Sequence, residues 1–280
     1  MSDLIYPAAE SPSPITPLRR DSLRSAPAVA SLPARFMSIA SFSLAFAAIL
    51  AAHGSPGVTQ VNSRSDGQPP TKHPERTVAG NVITSERDPK VRIELPRSVR
   101  YVGADRWVLY GMADCELHAF VEENDQMSLQ RLYWVQFEGY LPTRPELRHT
   151  YDSPRHTNID GYDFYVDTWV APSDATDEPG SDSEHIKALL RAGGYNIPGM
   201  MKVRLVHLLD EQKRKELMII YGEDLAATGF SVDDLNQGGK ARDRWPAIAE
   251  GLIDRARRRI SLSPRRAASR EPLGFVAGLF

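Results

Sequence analysis

Residues 36–52 form a run of seventeen residues without a charge or a proline. The segments of the chain with the periodicity of strands and helices all follow this run. Its length and its Ser and Ala content are typical of the apolar region of a signal peptide. A permanent membrane anchor usually has about 20 more strongly apolar residues. We therefore expect residues 36–52 to direct export, either as a cleaved signal peptide or as an uncleaved membrane anchor, which places the folded part in the periplasm or on the extracellular face of a membrane.

Other interpretations of the first 52 residues stay open. Translation from Met37 would give a signal of more ordinary length, without the arginines that precede it. The leader, 1–35, is rich in Arg and Ser and poor in acids, which also fits an organelle transit peptide. A buried core helix is disfavoured, because the run lacks the polar stripe of a helix at a protein surface.

Composition excludes several classes of protein. The formal net charge of −2 gives no bulk attraction to nucleic acid, so we expect no nucleic-acid partner. Cys115 is the only cysteine, which excludes an internal disulfide. The sequence contains no glycine-rich phosphate loop, no Gly-x-Ser-x-Gly motif and no paired Cys-x-x-Cys. We expect no cofactor.

Composition also divides the chain into segments. Residues 1–35 are predicted to be a disordered leader, and 53–90 a flexible linker, because they contain too few large apolar side chains to form a core. Residues 91–262 have the length and patterning of one globular domain. Residues 263–280 form a basic tail that we expect to be mostly disordered.

Periodicity within 91–262 predicts an α+β fold. Alternating segments predict strands at 107–110, 115–121, 129–141 and 164–170, and a hairpin of 201–209 with 216–221. Helical spacing predicts two principal helices at 182–192 and 245–260. Ser181 and Glu184 form a capping box for the first of these. The expected fold is an antiparallel sheet of about six strands with both helices packed on one face.

Two of the predicted strands each combine an apolar face with a face of aromatic and acidic side chains. If the strands are neighbours, the second faces form one surface of candidate ligand-binding residues: Trp134, Glu138, Tyr140, Tyr165, Asp167 and Trp169. Aromatic rings stack on flat ligands while carboxylates accept hydroxyl hydrogen bonds. Glu138 and Asp167 could instead act as an acid–base pair in hydrolysis. The simplest interpretation is an ordinary sheet surface stabilised by cross-strand aromatic pairs.

No metal site is predicted. The loop residues His149, Asp152, His156 and Asp160 match no zinc or calcium spacing, so an ordinary polar loop is expected. Cys115 is a poor candidate nucleophile, because burial on a core face raises the pKa of a thiol.

Arginines are concentrated towards the C-terminus. They can simply complement a helix dipole and a solvated tail, or they can attach the protein to an anionic membrane or another envelope component. The residues that would make this attachment are Arg257, Arg258, Arg259, Arg265 and Arg266. The sequence thus predicts an exported or membrane-anchored envelope protein with a non-enzymatic binding or interaction domain. A small exported hydrolase that uses a carboxylate pair is the alternative, so whether the protein is an enzyme stays open.

Overall fold

The computed structural model of the protein describes residues 73–265, which form two antiparallel sheets and three helices. The leader, the apolar run and most of the predicted linker and tail lie outside these residues. The strands are β1 (Thr77–Ala79), β2 (Val82–Ser85), β3 (Val91–Glu94), β4 (Arg100–Leu109), β5 (Ala113–Glu123), β6 (Leu129–Tyr140), β7 (His156–Ile159), β8 (Tyr162–Ala171), β9 (Met200–Leu208), β10 (Lys215–Asp224) and β11 (Ser261–Pro264). The helices are α1 (Asp182–Ala192), α2 (Val232–Leu235) and α3 (Trp245–Arg259).

Seven strands form the larger sheet in the order β4-β5-β6-β10-β9-β8-β7. The hairpin β4–β5 and the strand β6 follow one another along the chain. The chain then crosses to the far edge, and the later hairpin β9–β10 fills the space between β6 and β8. The mixed α+β fold with antiparallel sheets is therefore confirmed, and the predicted hairpin of the ninth and tenth strands is present.

The two principal helices cover opposite faces of this sheet, which corrects the expectation that both pack on one face. One face, here called the α1 face, packs against α1 through residues such as Leu117, Trp134 and Ile220. The other face packs against α3 and the smaller sheet of β1, β2, β3 and β11. The physical reason lies in the central strands, because β10 is apolar on both sides and needs cover on both.

Helix α1 begins and ends where its local signals predict. Ser181 caps the helix by accepting a hydrogen bond from the Glu184 backbone N–H, and the Glu184 side chain accepts one from the Gly180 N–H. Gly193 ends the helix, and Gly194 follows with a positive φ of 80°. These caps fix Asp182 as the first residue of a helix that lies over the sheet.

The ordered part begins before residue 91, which corrects the predicted extent of the linker. Strands β1 and β2 lie within the segment 53–90, and β2 pairs with β3. The Arg76 guanidinium donates a hydrogen bond of 3.0 Å to buried Glu116 and lies 4.2 Å from the centre of the Phe137 ring. This polar anchoring orders a segment that has little apolar patterning of its own.

The ordered part also extends past residue 262. Strand β11 runs to Pro264 and pairs with β3. Arg265 follows it and donates from Nε to Glu86 Oε1 at 2.8 Å. Within residues 73–265, no helix has both the length and the apolar character needed to cross a membrane.

Candidate functional site

The strands that carry the six predicted ligand-binding residues are not neighbours. All six side chains belong to the α1 face, since the register aligns Trp134 with Ile220, Ile220 with Arg204 and Arg204 with Asp167. However, β10 and β9 lie between β6 and β8. Three strand spacings correspond to roughly 14 Å across the sheet. Glu138 is also four residues along β6 from Trp134, which adds roughly 13 Å along the strand.

The predicted acid–base pair is therefore divided between two separate environments. Asp167 is held by Arg204, whose Nη2 donates to Asp167 Oδ2 at 2.6 Å. Trp169 lies opposite Lys202, and the Tyr165 ring is 5.7 Å from that of Tyr151. The six predicted residues therefore form two separate groups, one on β6 and one on β8, with the hairpin β9–β10 between them.

On the β6 side, a chain of hydrogen bonds leads to Glu138. Trp134 Nε1 donates to Gln136 Oε1 at 2.9 Å, and Gln136 Nε2 donates to Glu138 Oε2 at 3.2 Å. The fully buried Gln136 amide thus orients the Glu138 carboxyl group, and its nearby side chain also acts to lower the pKa of Asp182 at the start of α1.

Cys115 completes this group, here called the thiol–carboxyl cluster: Cys115, Glu138 and Asp182. Cys115 lies directly opposite Glu138 on β5 and is fully buried. Asp182 approaches from α1, and the ligand-type atoms of the three side chains all lie within 4.8 Å of one another. Two strands and a helix thus bring one sulfur atom and two carboxyl groups to the same place.

Three basic side chains are among the largest charge contributions to the two carboxyl groups of the cluster, and each of them faces another carboxylate. Among residues 73–265, neither Glu138 nor Asp182 forms an ion pair. The three existing pairs are His149 with Glu216 at 3.0 Å, His185 with Asp105 at 2.7 Å and Arg204 with Asp167 at 2.6 Å. The thiol–carboxyl cluster is therefore left without a balancing cation.

Burial is the main cause that raises the pKa values of all three groups, and nearby negative charges add to it. Burial, with the nearby charges of Glu216 and Asp182, raises the pKa of Glu138 to about 8. Burial also raises the pKa of Asp182 to about 6, and the charge of Glu216 adds to this. The pKa of the Cys115 thiol is raised well above its usual value by burial and by Glu138. Each group is more easily protonated here than in water.

Two polar atoms at this place are buried without a hydrogen-bond partner in the described part of the chain: Asp182 Oδ1 and Trp107 Nε1. Trp107 lies opposite Cys115 on β4, and its ring stacks on His185 with 4.0 Å between the ring centres. Buried polar atoms are nearly always hydrogen-bonded. One acceptor and one donor without a partner in the described residues therefore lie close to the thiol–carboxyl cluster.

The predicted surface-attachment arginines do not act as one group. Arg257 and Arg258 are exposed and line a shallow depression with Asp160 and Asp254. Arg259 instead points into the fold, where its Nη1 donates to Glu122 Oε1 at 3.0 Å and to the Tyr133 hydroxyl at 3.1 Å. Arg265 pairs with Glu86, and Arg266 lies outside the described residues.

The sequence pattern places Cys115 on a core face and Asp182 at the start of a predicted helix, and it connects neither residue with Glu138. His149, placed in an ordinary polar loop, is buried beside Glu216 and stacks on Tyr140 with 4.4 Å between the ring centres. Alternation along β5 could have placed Cys115 on the α1 face. No local signal could have placed Asp182 next to it, because that contact depends on how α1 docks.

Comparisons with known proteins add no further constraint on this site. No family model, curated protein or solved structure matches the chain.

Proposed function

We propose that this protein is an exported or membrane-anchored envelope protein whose folded part is a non-enzymatic binding domain, with the thiol–carboxyl cluster as its ligand site. The observation that carries the proposal is the unbalanced state of Glu138 and Asp182. In the described part of the chain, His149, His185 and Arg204 act on these two groups with their positive charge, and each of them faces another carboxylate. Carboxyl groups with raised pKa values are concentrated at functional sites.

The separation of Glu138 from Asp167 argues for binding over hydrolysis by that pair. The two carboxyl groups of a glycosidase lie about 5–10 Å apart, so that both reach the scissile bond. Glu138 and Asp167 stand on strands with two others between them. In addition, Arg204 forms a short ion pair with Asp167, which keeps it from acting as a free base or nucleophile.

A stability comparison tests whether the cluster is a ligand site or a structural element. In the ligand-free protein, Glu138→Gln should raise the free energy of unfolding by about 1–3 kcal/mol, because an uncompensated carboxyl group is replaced by a neutral amide of the same shape. Asp167→Asn is the matched control on the same face. It should lower the free energy of unfolding, because it leaves Arg204 without its charged partner.

Urea denaturation of the full-length protein at pH 7 measures both values. If Glu138→Gln destabilises the protein as Asp167→Asn does, Glu138 is a structural residue and the proposed ligand site is lost.

The envelope location rests on the apolar run 36–52 and needs its own experiment. Residues 1–60 would be fused to a reporter enzyme that is active only outside the cytoplasm. Reporter activity is expected, and a variant with two of the central apolar residues, Leu44 and Ile49, changed to Asp should lose it. An inactive wild-type fusion that is nevertheless expressed would refute export.

A further inference from the structure

We infer that the ligand of the thiol–carboxyl cluster is a single divalent metal ion of the zinc type, an inference that rests on the proposed function. The donor set of Cys115, Glu138 and Asp182 combines one sulfur with carboxylate oxygens. Zinc accepts Cys, Asp and Glu as ligands at about 2.0–2.3 Å, with four ligands in tetrahedral geometry. Atoms that lie within 4.8 Å of one another can surround such an ion after small side-chain rotations.

Charge is the first argument for a cation. The three basic groups that act on the cluster each have a carboxylate partner, so Glu138 and Asp182 form a surplus of two acids. A doubly charged ion would offset two of the three negative charges that the two carboxylates and a metal-bound thiolate carry. A monovalent or neutral ligand would offset fewer of these charges in a partly buried place.

The unpaired oxygen is the second and independent argument. Asp182 Oδ1 is completely buried and accepts no hydrogen bond in residues 73–265, although Gln136 acts on the same carboxyl group. A metal ion would coordinate this oxygen. The Gln136 amide, which donates to Glu138 Oε2 at 3.2 Å, would then orient the carboxylates as outer-shell hydrogen bonds do in metal sites.

The sulfur atom of Cys115 indicates which class of metal ion the cluster would bind. Magnesium and calcium are bound almost entirely by oxygen, whereas zinc and other late transition metals also accept thiolate. Cys115 is fully buried, and in the described part of the chain its thiol donates to the Ala113 carbonyl oxygen at 4.0 Å. Metal coordination deprotonates a thiol that the protein alone keeps neutral. We therefore expect binding of zinc and of cobalt(II), and no competition from magnesium.

Titration of the metal-free full-length protein with cobalt(II) tests the inference. The expected result is one ion bound per chain, with a sulfur-to-cobalt charge-transfer absorption band that zinc abolishes and magnesium does not. Cys115→Ser should remove the band, and Asp182→Asn should weaken binding at least about tenfold. Glu94→Gln removes an exposed acid from the smaller sheet, on the opposite side from the cluster, so it should change the affinity by less than about twofold.

Glu138→Gln should also weaken cobalt binding. Together with Cys115→Ser and Asp182→Asn it gives three single variants, so the test still decides if one of them fails to fold. Absence of binding to the wild type, or binding that Cys115→Ser and Asp182→Asn leave unchanged, overturns the inference. If Glu138→Gln stabilises the metal-free protein but no metal binds, the cluster takes another ligand or only protons. In that case the metal inference fails while the proposed binding site stands.

Discussion

Glu138 and Glu216 lie directly opposite each other on β6 and β10, and the protein supplies polar partners to them very unequally. Glu216 accepts a hydrogen bond of 2.7 Å from the Tyr151 hydroxyl and lies 3.0 Å from His149 Nδ1. Within residues 73–265, Glu138 accepts one hydrogen bond, of 3.2 Å, from the Gln136 amide. Burial and the charge of Glu216 raise the pKa of Glu138 to about 8. We therefore expect Glu216 to be held for the fold and Glu138 to be available to the proposed ligand.

Tyr151→Phe should therefore destabilise the protein. It removes the hydroxyl that binds Glu216 and leaves that buried carboxylate with His149 alone. The expected loss in the free energy of unfolding is about 1.5–3 kcal/mol, the range for hydrogen bonds to charged groups. Tyr165→Phe is the control, because no hydrogen bond of its hydroxyl is present within residues 73–265. It should change the free energy by less than about 0.5 kcal/mol, and an equal effect of the two variants in urea denaturation would show that Glu216 does not depend on Tyr151.

Glu116 fixes the N-terminal segment to the opposite face of the sheet. It accepts hydrogen bonds of 2.8 Å from the backbone N–H groups of Glu75 and Arg76, and His118 Nε2 lies 2.9 Å away. Although burial alone would raise the pKa of Glu116, these bonds and the charge of Arg76 lower it to about 2. Glu116→Gln should cost about 3 kcal/mol at pH 7, because it breaks a buried ion pair from one side.

The effect of Glu116 should depend on pH with a defined sign. Its folded pKa of about 2 is below the ordinary value of 4.5, so its contribution is complete above pH 4.5 and disappears as the pH falls towards 2. The difference between wild type and Glu116→Gln should shrink over that range. Exposed Glu94→Gln is the control and should show less than about 0.5 kcal/mol at any pH. A constant difference down to pH 2 would contradict this account.

The parts of the fold that sequence predicts are those with local causes. Helix α1 follows from the Ser181 cap and the two glycines at its end, and alternation along β6 correctly assigns Trp134 and Glu138 to one face. Strand order has no such local signal. The hairpin β9–β10 inserts between β6 and β8 because its apolar sides need cover on both faces, and this pairing joins segments about 80 residues apart.

The candidate site shows the same limit. The sequence pattern places Glu138 on its strand, but the side chains near it come from β5 and α1. No local sequence signal predicts either of these two contacts. The sequence pattern paired Glu138 with Asp167, whereas the structure places Cys115 and Asp182 beside Glu138. Pairing of β5 with β6 brings Cys115 opposite Glu138, and docking of α1 brings in Asp182. Both events are tertiary, so a pattern of alternation cannot anticipate them.

Lys202 on β9 should be a destabilising residue at neutral pH. It forms no ion pair within residues 73–265, and Asp177, an acid whose charge acts on it, is paired with Lys187 at 2.8 Å. Burial, with the charge of Lys187, lowers the pKa of Lys202 to about 8. Lys202→Met should therefore raise the free energy of unfolding at pH 7 by about 1–3 kcal/mol.

The sign of the pH dependence follows from the same shift. The folded protein releases the Lys202 proton at about pH 8, whereas the unfolded chain keeps it to about 10.5, so wild-type stability recovers relative to Lys202→Met between these values. Urea denaturation at pH 7 and pH 10 measures the difference. Lys215→Met, which removes an exposed lysine paired with Asp88, is the control and should have little effect at pH 7. A Lys202→Met variant less stable than wild type would mean that the ammonium group has a partner.

The N-terminal boundary of the folded part gives the last prediction. A chain that starts at residue 91, as the sequence pattern suggests, lacks β1 and β2 and the Arg76 side chain that binds Glu116. Without β2, one edge of β3 has no partner strand. Loss of Ile83 also exposes apolar side chains of the same core, among them Val91 and Ile93. Loss of a buried ion pair and of one strand's apolar contacts together should lower the free energy of unfolding by more than about 4 kcal/mol.

A chain that starts at residue 71 is the matched control, since it keeps all described residues and lacks only the part before them. We expect it to unfold cooperatively, with a protease-resistant core. The chain from residue 91 should be digested rapidly or should aggregate, because an unpaired strand edge invites association. Equal resistance of the two chains to limited proteolysis, together with equal urea midpoints, would show that β1 and β2 are dispensable and that the fold is complete from β3 onward.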